Sequence, residues 1–383
     1  MEEPGFGRPR WEGPVVERVG VVGTGLIGGS LGLAVRKRSL AQEVLGYDAD
    51  PGMAEEAERR GAVTRRASLE ELATACGLVF LAVPVRAIPE VLGELAPHLR
   101  EGALVTDVGS VKGPVVRRAA ELVPPGRCFI GGHPMAGSER RGVEFADPDL
   151  FQEAYYILTP SSDCPTEAYS FLHTFLSSLG ARVLAMDPGQ HDRAVAVISH
   201  LPHLLAMGLM NLVLDRAEEY PLLKLAAGGF RDVTRIAASD PRLWLDILVE
   251  NREAVLSTLD SFAGTLSWVR ELLAAGDEGA LLAFLERASR GRAQLVPALR
   301  EQAEELYYLT VAVENRPGVI SAVTMALGER GINIEDLDLV HPLESGAGLL
   351  RLAVRGEGEA REALQALRER GFRSVLSRAV EPG

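Results

Sequence analysis

A glycine-rich turn near the start of the chain places the strongest constraint on its fold. Residues Arg18 to Ser30 read RVGVVGTGLIGGS, with Gly23, Gly25 and Gly28 in a G-x-G-x-x-G spacing between a strand-like run and a helix-like run. In such a turn the first glycine permits a tight bend, the second lets a phosphate approach the backbone, and the third allows helix and strand to pack closely. The spacing predicts a βαβ unit that binds a dinucleotide at the N-terminus of its helix.

An acidic residue after the second predicted strand supports this interpretation over a glycine-rich turn of another kind of α/β protein. Asp48 lies 20 residues after Gly28, where the acid that binds the adenosine ribose is expected. A carboxylate there accepts hydrogen bonds from the ribose hydroxyls and repels a 2′-phosphate, which favours NAD over NADP. The residues predicted to bind this cofactor, including two at the end of a later strand, are Gly23, Gly25, Leu26, Ile27, Gly28, Asp48, Val83 and Pro84.

The pattern of apolar residues divides the chain into three domains. From residue 18 to 187 strand-like and helix-like runs alternate, which is typical of βαβ units on a parallel sheet. Residues 188–303 have helical apolar spacing throughout, and residues 306–383 follow a βαββαβ order. We therefore predict a disordered tail at residues 1–17, a Rossmann-type α/β domain, an all-α domain and a ferredoxin-like domain. The predicted strands of the α/β domain are Val19–Val22, Val44–Tyr47, Leu78–Val83, Leu104–Asp107, Cys128–Gly131, Tyr155–Leu158 and Val183–Ala185.

Charge and hydropathy narrow the expected partners and location. The 383 residues carry a formal net charge of −13, and the pI is near 5.2. A negative surface field repels phosphate backbones, which argues against a nucleic-acid partner. The longest apolar run, Leu204–Leu214, is shorter than the roughly 18 residues that span a bilayer. We expect a cytoplasmic protein without a membrane segment.

The cysteines and histidines give no pattern of a metal site. Cys76, Cys128 and Cys164 are far apart in the sequence and form no CxxC motif, so we expect reduced thiols without a role. His200 and His203 form an H-x-x-H pair, but no third ligand follows at a suitable spacing. No metal is therefore predicted.

Polar residues directly follow two strands that are predicted to be buried. Ser110 and Lys112 follow one of these strands, and His133 follows another. Because the carboxyl ends of parallel strands face the ligand crevice, all three side chains are expected to point toward the nicotinamide end of the cofactor. His133 is the candidate general base, since imidazole titrates near neutral pH. The alternative is that His133 and Pro134 only shape a turn.

The helical section contains polar residues at helical spacing among apolar ones. Ser199 lies four residues before His203 and His200 three residues before it, so one helix can present them on adjoining faces. Arg235 can bind a carboxylate through two parallel hydrogen bonds, although a single arginine in such a segment more often belongs to a surface ion pair. Together these residues predict an NAD-dependent dehydrogenase for a small anionic hydroxy compound.

Five motifs occur in order along the first 241 residues: GTGLIGGS at 23–30, DVGSVK at 107–112, HPMAGSE at 133–139, SHLPH at 199–203 and GFRDVTRIAASDP at 229–241. In this order and spacing they resemble the motifs of one enzyme family, the prephenate dehydrogenases of tyrosine biosynthesis. The resemblance extends from about residue 19 to 303. Residues 314–319 (ENRPGV) and 331–334 (GINI) resemble an ACT regulatory domain.

The resemblance implies oxidative decarboxylation of prephenate to 4-hydroxyphenylpyruvate with NAD+ as the hydride acceptor. His133 would then bind and deprotonate the ring hydroxyl, and Ser110 would hydrogen-bond both the hydroxyl region and His133. The residues that correspond to the family's substrate-binding groups are Arg235, Ser199, His200 and His203. A gate over the pocket corresponds to Glu139, Asp232 and Trp244, for which capping or packing roles are equally open.

The same resemblance implies a homodimer and an effector site. The helical section forms the dimer core in the family, and ACT domains commonly bind an amino acid near the turn after their first strand. Tyrosine is the expected effector. The corresponding residues here are Asn315, Pro317, Gly318 and Val319.

Other functions remain open from the sequence. An arogenate dehydrogenase would share every motif and differ only in the substrate's side chain, which carries an ammonium instead of a keto group. A non-enzymatic sensor of NAD and an amino acid would need no proton acceptor, so His133, Ser110 and Arg235 together argue against it. A β-hydroxyacid dehydrogenase relies on a helix-borne lysine, and residues 191–214 contain none.

Overall fold

The structure, a computed structural model, describes residues 15–378 apart from 138–139, 162, 217–219, 305, 315–317, 335 and 341–346. It divides into two compact units, of which the first ends at Ala263 and the second begins at Gly264. Residues 1–14 of the predicted tail lie outside the described residues. Its residues Val16 and Glu17 belong to the first strand, so the ordered fold begins before the predicted boundary.

An eight-stranded sheet forms the centre of the first unit. Its strands are β1 (Val16–Val22), β2 (Ala41–Tyr47), β3 (Arg65–Arg66), β4 (Leu78–Leu81), β5 (Leu104–Asp107), β6 (Cys128–Pro134), β7 (Tyr155–Thr159) and β8 (Arg182–Ala185). They lie in the order β3-β2-β1-β4-β5-β6-β7-β8, with parallel pairing from β3 to β6. Chain order reverses between β1 and β4, which marks the ligand crevice in open α/β sheets. The predicted Rossmann-type fold is confirmed.

One strand departs from the all-parallel expectation. β7 is antiparallel to β6, while β8 is again parallel to β7. A parallel return needs a crossover of a dozen or more residues, usually a helix. The described residues between β6 and β7 contain only the 3-10 turn Val143–Phe145, whereas a full helix connects β7 to β8. The chain therefore turns back after β6 and crosses over after β7.

The helices of the α/β part connect the strands and bury the apolar face of the sheet. They are α1 (Leu26–Lys37), α2 (Pro51–Arg59), α3 (Leu69–Ala75), α4 (Ile88–Leu95), α5 (Gly113–Leu122) and α6 (Thr166–Ser178). Leu72, Ile88 and Leu92 from these helices are fully buried in one cluster with Val79 and Val105 of the central strands. At about 1.5–3 kcal/mol for each large apolar side chain, this burial fixes the strand ends that carry the polar residues.

Helices replace strands after β8, as predicted. In the first unit they are α7 (Pro188–Val195), α8 (Leu201–Asp215), α9 (Leu222–Leu225), α10 (Gly228–Thr234), α11 (Pro241–Glu250) and the start of α12 (Arg252–Ala275). The chain widens to a π-helix over Ala196–His200, which ends two residues before Pro202. Proline has no N–H and its ring clashes with the carbonyl four residues earlier, so a wider turn accommodates it. The resulting continuous helix carries both His200 and His203.

This continuous helix is longer than the apolar run counted from the sequence. Pro188–Asp215 spans 28 residues with a mean hydropathy of 1.6 in its most apolar window, so its length and composition suffice to cross a membrane. Only 17% of that window is buried. Several of its large apolar side chains are exposed: Val197, Ile198, Leu209, Leu212 and Leu214.

The second unit contains the end of α12, the helix α13 (Glu278–Glu304) and a small α/β domain. The domain's elements are β9 (Leu306–Glu314), α14 (Val319–Gly328), β10 (Asp336–Val340), β11 (Ala347–Arg355), α15 (Glu357–Glu369) and β12 (Arg373–Arg378). All strands pair antiparallel in the order β10-β11-β9-β12. Leu309, Val323, Leu352 and Leu367 are fully buried in its core. This is the predicted ferredoxin-like arrangement.

Candidate active site

The glycine turn after β1 leaves open space at the start of α1. Gly23 has φ +89°, and a Cβ there would lie 2.3 Å from the carbonyl oxygen of Ala82. A Cβ on Gly28 would lie 1.8 Å from the Gly23 carbonyl oxygen, so both positions require glycine. Gly25 caps α1 without a side-chain hydrogen bond, and no atom lies within 4 Å of its Cβ position. Uncapped N–H groups facing open space suit a phosphate group.

Asp48 is held against this turn. Its Oδ2 accepts hydrogen bonds from the backbone N–H (2.7 Å) and hydroxyl (3.2 Å) of the buried Thr24, and its Oδ1 accepts one from the Asp50 N–H (3.0 Å). An ionised carboxylate has about four acceptor positions, so capacity remains for a ribose hydroxyl. Val83 and Pro84 follow β4 beside Gly23. These residues fit the adenosine and pyrophosphate of a dinucleotide.

Lys112 does not point toward a ligand as the sequence predicted. Its side chain is fully buried, and its ammonium donates to Asp107 Oδ2 and to the Gly132 carbonyl oxygen (2.7 Å). Asp107 also accepts N–H groups from Gly109 and Gly132. Burial lowers the pKa of Lys112, and the Asp107 carboxylate opposes that shift. The pair therefore ties the end of β5 to the end of β6, beside His133.

His133 lies at the end of β6 and contacts a second histidine from α7. Its Nδ1 is 2.8 Å from Nε2 of His191, and the two rings meet edge to face. Nδ1 of His191 is in turn 2.8 Å from Oδ1 of Asp192. Burial, followed by the neighbouring His191, Lys112 and His200, holds the pKa of His133 well below its usual 6.5. His133 is therefore neutral at physiological pH and can accept a proton.

Asp192 is anchored by the start of α5. Its two carboxylate oxygens accept backbone N–H groups from Lys112 and Gly113, each at 2.8 Å. Burial opposes ionisation, but the hydrogen bonds from His191 and from these two N–H groups hold the pKa of Asp192 below its usual 3.8. Asp192 is therefore a carboxylate.

The helix-borne histidines pack around Trp244. The His203 ring stacks on Trp244 with centroids 3.6 Å apart, and His200 meets it edge-on at 5.9 Å. Nδ1 of His203 donates to the Ser199 carbonyl oxygen at 3.0 Å, and Asn251 donates to Nδ1 of His200 at 3.1 Å. Burial lowers the pKa of His200 to about 4 and also lowers that of His203. Both rings are neutral at physiological pH.

Arg235 brings a positive charge to this cluster. Arg235 is exposed and is the first residue of the 3-10 turn Arg235–Ala238. Burial has the largest effect on the pKa of His203 and lowers it, the hydrogen bond to Ser199 raises it, and the charge of Arg235 lowers it further. Asp232 is exposed on α10, whereas Trp244 is 7% exposed. Ser110 is half-buried after β5, and within the described part of the chain no hydrogen bond joins it to His133. The imidazole's Nδ1 faces His191 instead.

Some predicted site residues are not described or lie elsewhere. Glu139, Asn315 and Pro317 lie outside the described residues. Gly318 is the N-cap of α14 with φ +83°, and Val319 is buried as its first residue. Among the side chains that the structure describes, no group of three His, Cys, Asp or Glu residues could hold a metal ion.

Four polar residues that were not predicted from the sequence support this site. His191, Asp192 and Asn251 are buried around His133 and His200, and Thr24 binds Asp48. The available signal for the first two was a His-Asp pair in the first turn of a helix, three residues after Pro188, ahead of an apolar stretch. Asn251 lies 59 residues beyond its partner Asp192, a distance that no local pattern reveals.

The assembled groups suit proton acceptance next to an anionic ligand. His133 presents a neutral imidazole at the edge of the sheet where Asp48 and the glycine turn also lie. A neutral imidazole in a partly buried site can accept a proton from a reacting group of the substrate.

Three family profiles match the chain. Residues 31–185 match the profile of the prephenate dehydrogenase nucleotide-binding domain, and residues 187–287 that of the prephenate dehydrogenase dimerization domain. Residues 307–372 match the ACT domain.

Individual proteins agree with the profiles. Prephenate dehydrogenase of Bacillus subtilis (strain 168) is 35% identical over 357 residues, which cover 91% of this chain and 95% of that protein. The structure of Aquifex aeolicus prephenate dehydrogenase with hydroxyphenyl propionate and NAD+ is 33% identical, with a TM-score of 0.70 over 73% of this chain and 98% of that one. Synechocystis arogenate dehydrogenase is 32% identical, with a TM-score of 0.64 over 73% and 99%. By its similarity over nearly its whole length, this chain belongs to the prephenate dehydrogenase family.

Proposed function

We propose that this protein catalyses the NAD-dependent oxidative decarboxylation of prephenate to 4-hydroxyphenylpyruvate. The observation that carries the proposal is the neutral His133 at the carboxyl edge of the sheet, bonded to His191 of the helical region at 2.8 Å. A proton acceptor there lies where a nicotinamide bound along that edge would end. Family membership supports the same reaction, because the similar Aquifex protein was solved with NAD+ and an aryl propionate.

The proposed chemistry needs one proton acceptor and one hydride acceptor. NAD+, held by the glycine turn and Asp48, would supply the hydride acceptor. His133 takes the proton of the ring C4 hydroxyl as hydride leaves the same carbon. Carbon dioxide leaves from C1, its bonding electrons complete the aromatic ring, and His133 returns the proton to the phenolic oxygen. Aromatisation makes the reaction effectively irreversible.

Substrate binding is assigned to the helical region and the loop after β5. Prephenate carries two carboxylates, so cationic and donor groups must converge on it. We assign carboxylate binding to Arg235, with Ser199, His200 and His203 as neighbouring polar contacts. Ser110 would contact the hydroxyl region, and Asp232, Glu139 and Trp244 would border the entrance.

Arogenate dehydrogenase is the second candidate. It is favoured by one specific observation, which is that the Synechocystis arogenate dehydrogenase matches this chain almost as closely as the Aquifex prephenate dehydrogenase. The two substrates differ only in a keto or ammonium group on the side chain. We place prephenate first because the curated relatives that match over 91% of the chain include two prephenate dehydrogenases.

Assembly and control follow from the other two matched regions. We propose a cytoplasmic homodimer in which the apolar helix Pro188–Asp215 is an interface helix, and domain boundaries near residues 187 and 305. The ACT domain would bind tyrosine beside Gly318 and Val319, together with Asn315 and Pro317, and lower the activity by feedback.

One initial-rate assay tests these assignments together. NADH formation would be followed with prephenate and with arogenate, each with NAD+ and NADP+, in the presence and absence of tyrosine. We expect prephenate with NAD+ to give the highest kcat/KM, and tyrosine to lower it. A higher kcat/KM with arogenate would exchange the two candidates. No NADH from either substrate would contradict the enzyme and favour a sensor of NAD and an amino acid.

A further inference from the structure

A buried histidine and a buried aspartate lie directly behind the proposed base and have no role in the chemistry so far. His191 is fully buried and Asp192 is 8% exposed. Burying an ionised carboxylate is costly unless hydrogen bonds compensate it. Asp192 is compensated only because two backbone N–H groups and His191 all point at it.

The direction of the hydrogen bonds can be derived from Asp192 outward. The N–H groups of Lys112 and Gly113 donate to both oxygens of Asp192 and so stabilise its ionised form, which can only accept. Nδ1 of His191, 2.8 Å from Oδ1, must therefore carry the proton between them. With His191 in its neutral form this is the ring's single N–H, and Nε2 of His191 is left as an acceptor.

The same argument applies to the next ring. Nε2 of His191 accepts, so Nδ1 of His133 at 2.8 Å must donate its proton. Neutral His133 then has its lone pair on Nε2, the nitrogen that does not face His191. We infer that Asp192 and His191 are positioning residues that fix His133 in the tautomer whose Nε2 accepts the substrate proton. This inference rests on the proposed function.

The arrangement has two effects on the proposed reaction. It removes the tautomer with hydrogen on Nε2, which could not accept a proton. It also stabilises His133 once it is protonated, because its Nδ1–H keeps an acceptor that is bonded to a buried carboxylate. An aspartate that orients a catalytic histidine has the same two effects in serine proteases. Here a second imidazole lies between the carboxylate and the base.

A pair of substitutions at His191 separates the two hydrogen bonds. In His191→Asn the shorter amide can still donate to Asp192 but cannot reach His133. In His191→Gln the longer amide can accept from Nδ1 of His133. We expect His191→Asn to lower kcat about ten- to a hundredfold, by analogy with the loss of a partner that orients a metal-bound histidine. KM and the Kd of NAD+ should change little, and His191→Gln should recover most of the lost kcat.

A matched control and a pH profile distinguish positioning from a structural role. His98→Asn makes the same change at an exposed histidine and should behave as wild type. The charged or titratable groups that face His133 are His191, Lys112 and His200. Without its acceptor, protonated His133 is less stable, so the acidic limb of kcat/KM in His191→Asn should move down by about one pH unit. An unchanged limb, or an upward shift as expected from removing a neighbouring positive charge, would overturn the inference.

A measurement on the wild type does not depend on activity or on the folding of a variant. Imidazole ¹⁵N NMR of protein labelled at its seven histidines distinguishes protonated from unprotonated ring nitrogens, and His133→Asn identifies the His133 signals. We expect hydrogen on Nδ1 and a lone pair on Nε2 of His133. Hydrogen on Nε2 would disprove the positioning of His133 by His191 and Asp192 even if the enzyme assay succeeds. The expected tautomer would support it even if neither substrate is turned over.

Discussion

At the scale of single residues, the protonation state of His133 follows from its surroundings more than from its residue type. A solvated imidazole is largely neutral only above its usual pKa of 6.5, whereas burial and nearby groups keep this one neutral well below that pH. The activity should therefore persist below pH 6.5 and fall only where His133 becomes protonated. A proton acceptor with so low a pKa works because the hydroxyl proton is released as hydride leaves.

His133→Asn removes the proton acceptor and tests its role directly. We expect kcat to fall by about two to four orders of magnitude, the usual contribution of a general base. The Kd of NAD+, measured by fluorescence titration, should hardly change, because Gly25 and Asp48 lie at the other end of the proposed cofactor site. Turnover near the wild-type value would show that His133 is not the base.

Arg235→Ala tests the proposed carboxylate contact. Arg235 is exposed, and its charge reaches His203. Losing a charge-assisted contact, worth about 1.5–3 kcal/mol, should raise KM for prephenate about ten- to a hundredfold with a smaller effect on kcat. Arg231→Ala removes an exposed arginine one turn earlier and is the control. An unchanged KM in Arg235→Ala, or an equal rise in both variants, would contradict the assignment.

Residues on local motifs were predictable, while residues that act through distant partners were not. Gly23, Asp48 and His133 stand at strand ends, where sheet geometry alone fixes their neighbourhood. Lys112 stands at a similar position, but its ammonium turns inward to Asp107. The sequence does not show whether a buried cation has an internal partner, so the prediction for Lys112 was wrong.

At the scale of helices and strands, the prediction succeeded where one element is buried between neighbours. Each of the seven predicted strands exists, since continuous apolar runs bounded by turn residues suit a parallel sheet. The direction of each strand was less predictable. No α-helix precedes β7 among the described residues after β6, and β7 runs antiparallel to its neighbour. The contact between two free cysteines was also not predictable from their spacing in the sequence. Cys128 and Cys164 are 36 residues apart, but their sulfur atoms lie 3.6 Å from each other.

This cysteine pair joins β6 to the segment before α6 and should respond to oxidation. The hydrogen bond from Cys128 lowers the pKa of Cys164 and so favours its thiolate. Hydrogen peroxide would oxidise Cys164 to a sulfenic acid and be reduced to water. Cys128 would then displace a second water and close a disulfide. Cross-linking residues 36 positions apart stabilises the fold by about 4 kcal/mol in the chain-entropy account.

The expected result is a loss of two free thiols by mass spectrometry and a higher melting temperature, both reversed by a reductant. Cys164→Ser should abolish both effects. Cys76→Ser should not, because burial raises the pKa of Cys76 to about 12 and its thiol is inert. Three free thiols after peroxide treatment of the wild type would contradict the prediction.

At the scale of the whole molecule, the protein and its proposed substrate are both negatively charged. A protein of net charge −13 repels a dianionic substrate at long range, so affinity must come from local groups. Lys112 is engaged with Asp107, which leaves Arg235 as the cation assigned to this role among the site residues described. Binding should consequently depend on a few short contacts and little on long-range attraction.

The exposed apolar surface of the helical region predicts how the whole molecule assembles. Large apolar side chains there are exposed by 40% or more, a pattern that marks an interface in a soluble protein. In the first unit they are Val197, Ile198, Leu209, Leu212, Leu214, Tyr220, Leu223, Leu225, Val233, Leu243, Leu245, Val249 and Leu256. The matching dimerization profile, which covers residues 187–287, agrees with this location.

Leu212→Glu places a charge on this surface and should dissociate the dimer. In a symmetric dimer each substitution acts twice, and losing two buried leucines at about 1.5 kcal/mol or more each weakens the Kd at least about a hundredfold. By analytical ultracentrifugation we expect the wild type at twice the 41.1 kDa chain mass and Leu212→Glu at the chain mass at micromolar concentration. Leu184→Glu makes the same change at a leucine of similar exposure on β8 and should remain dimeric. Dissociation of both variants, or of neither, would show that the surface around Leu212 is not the interface.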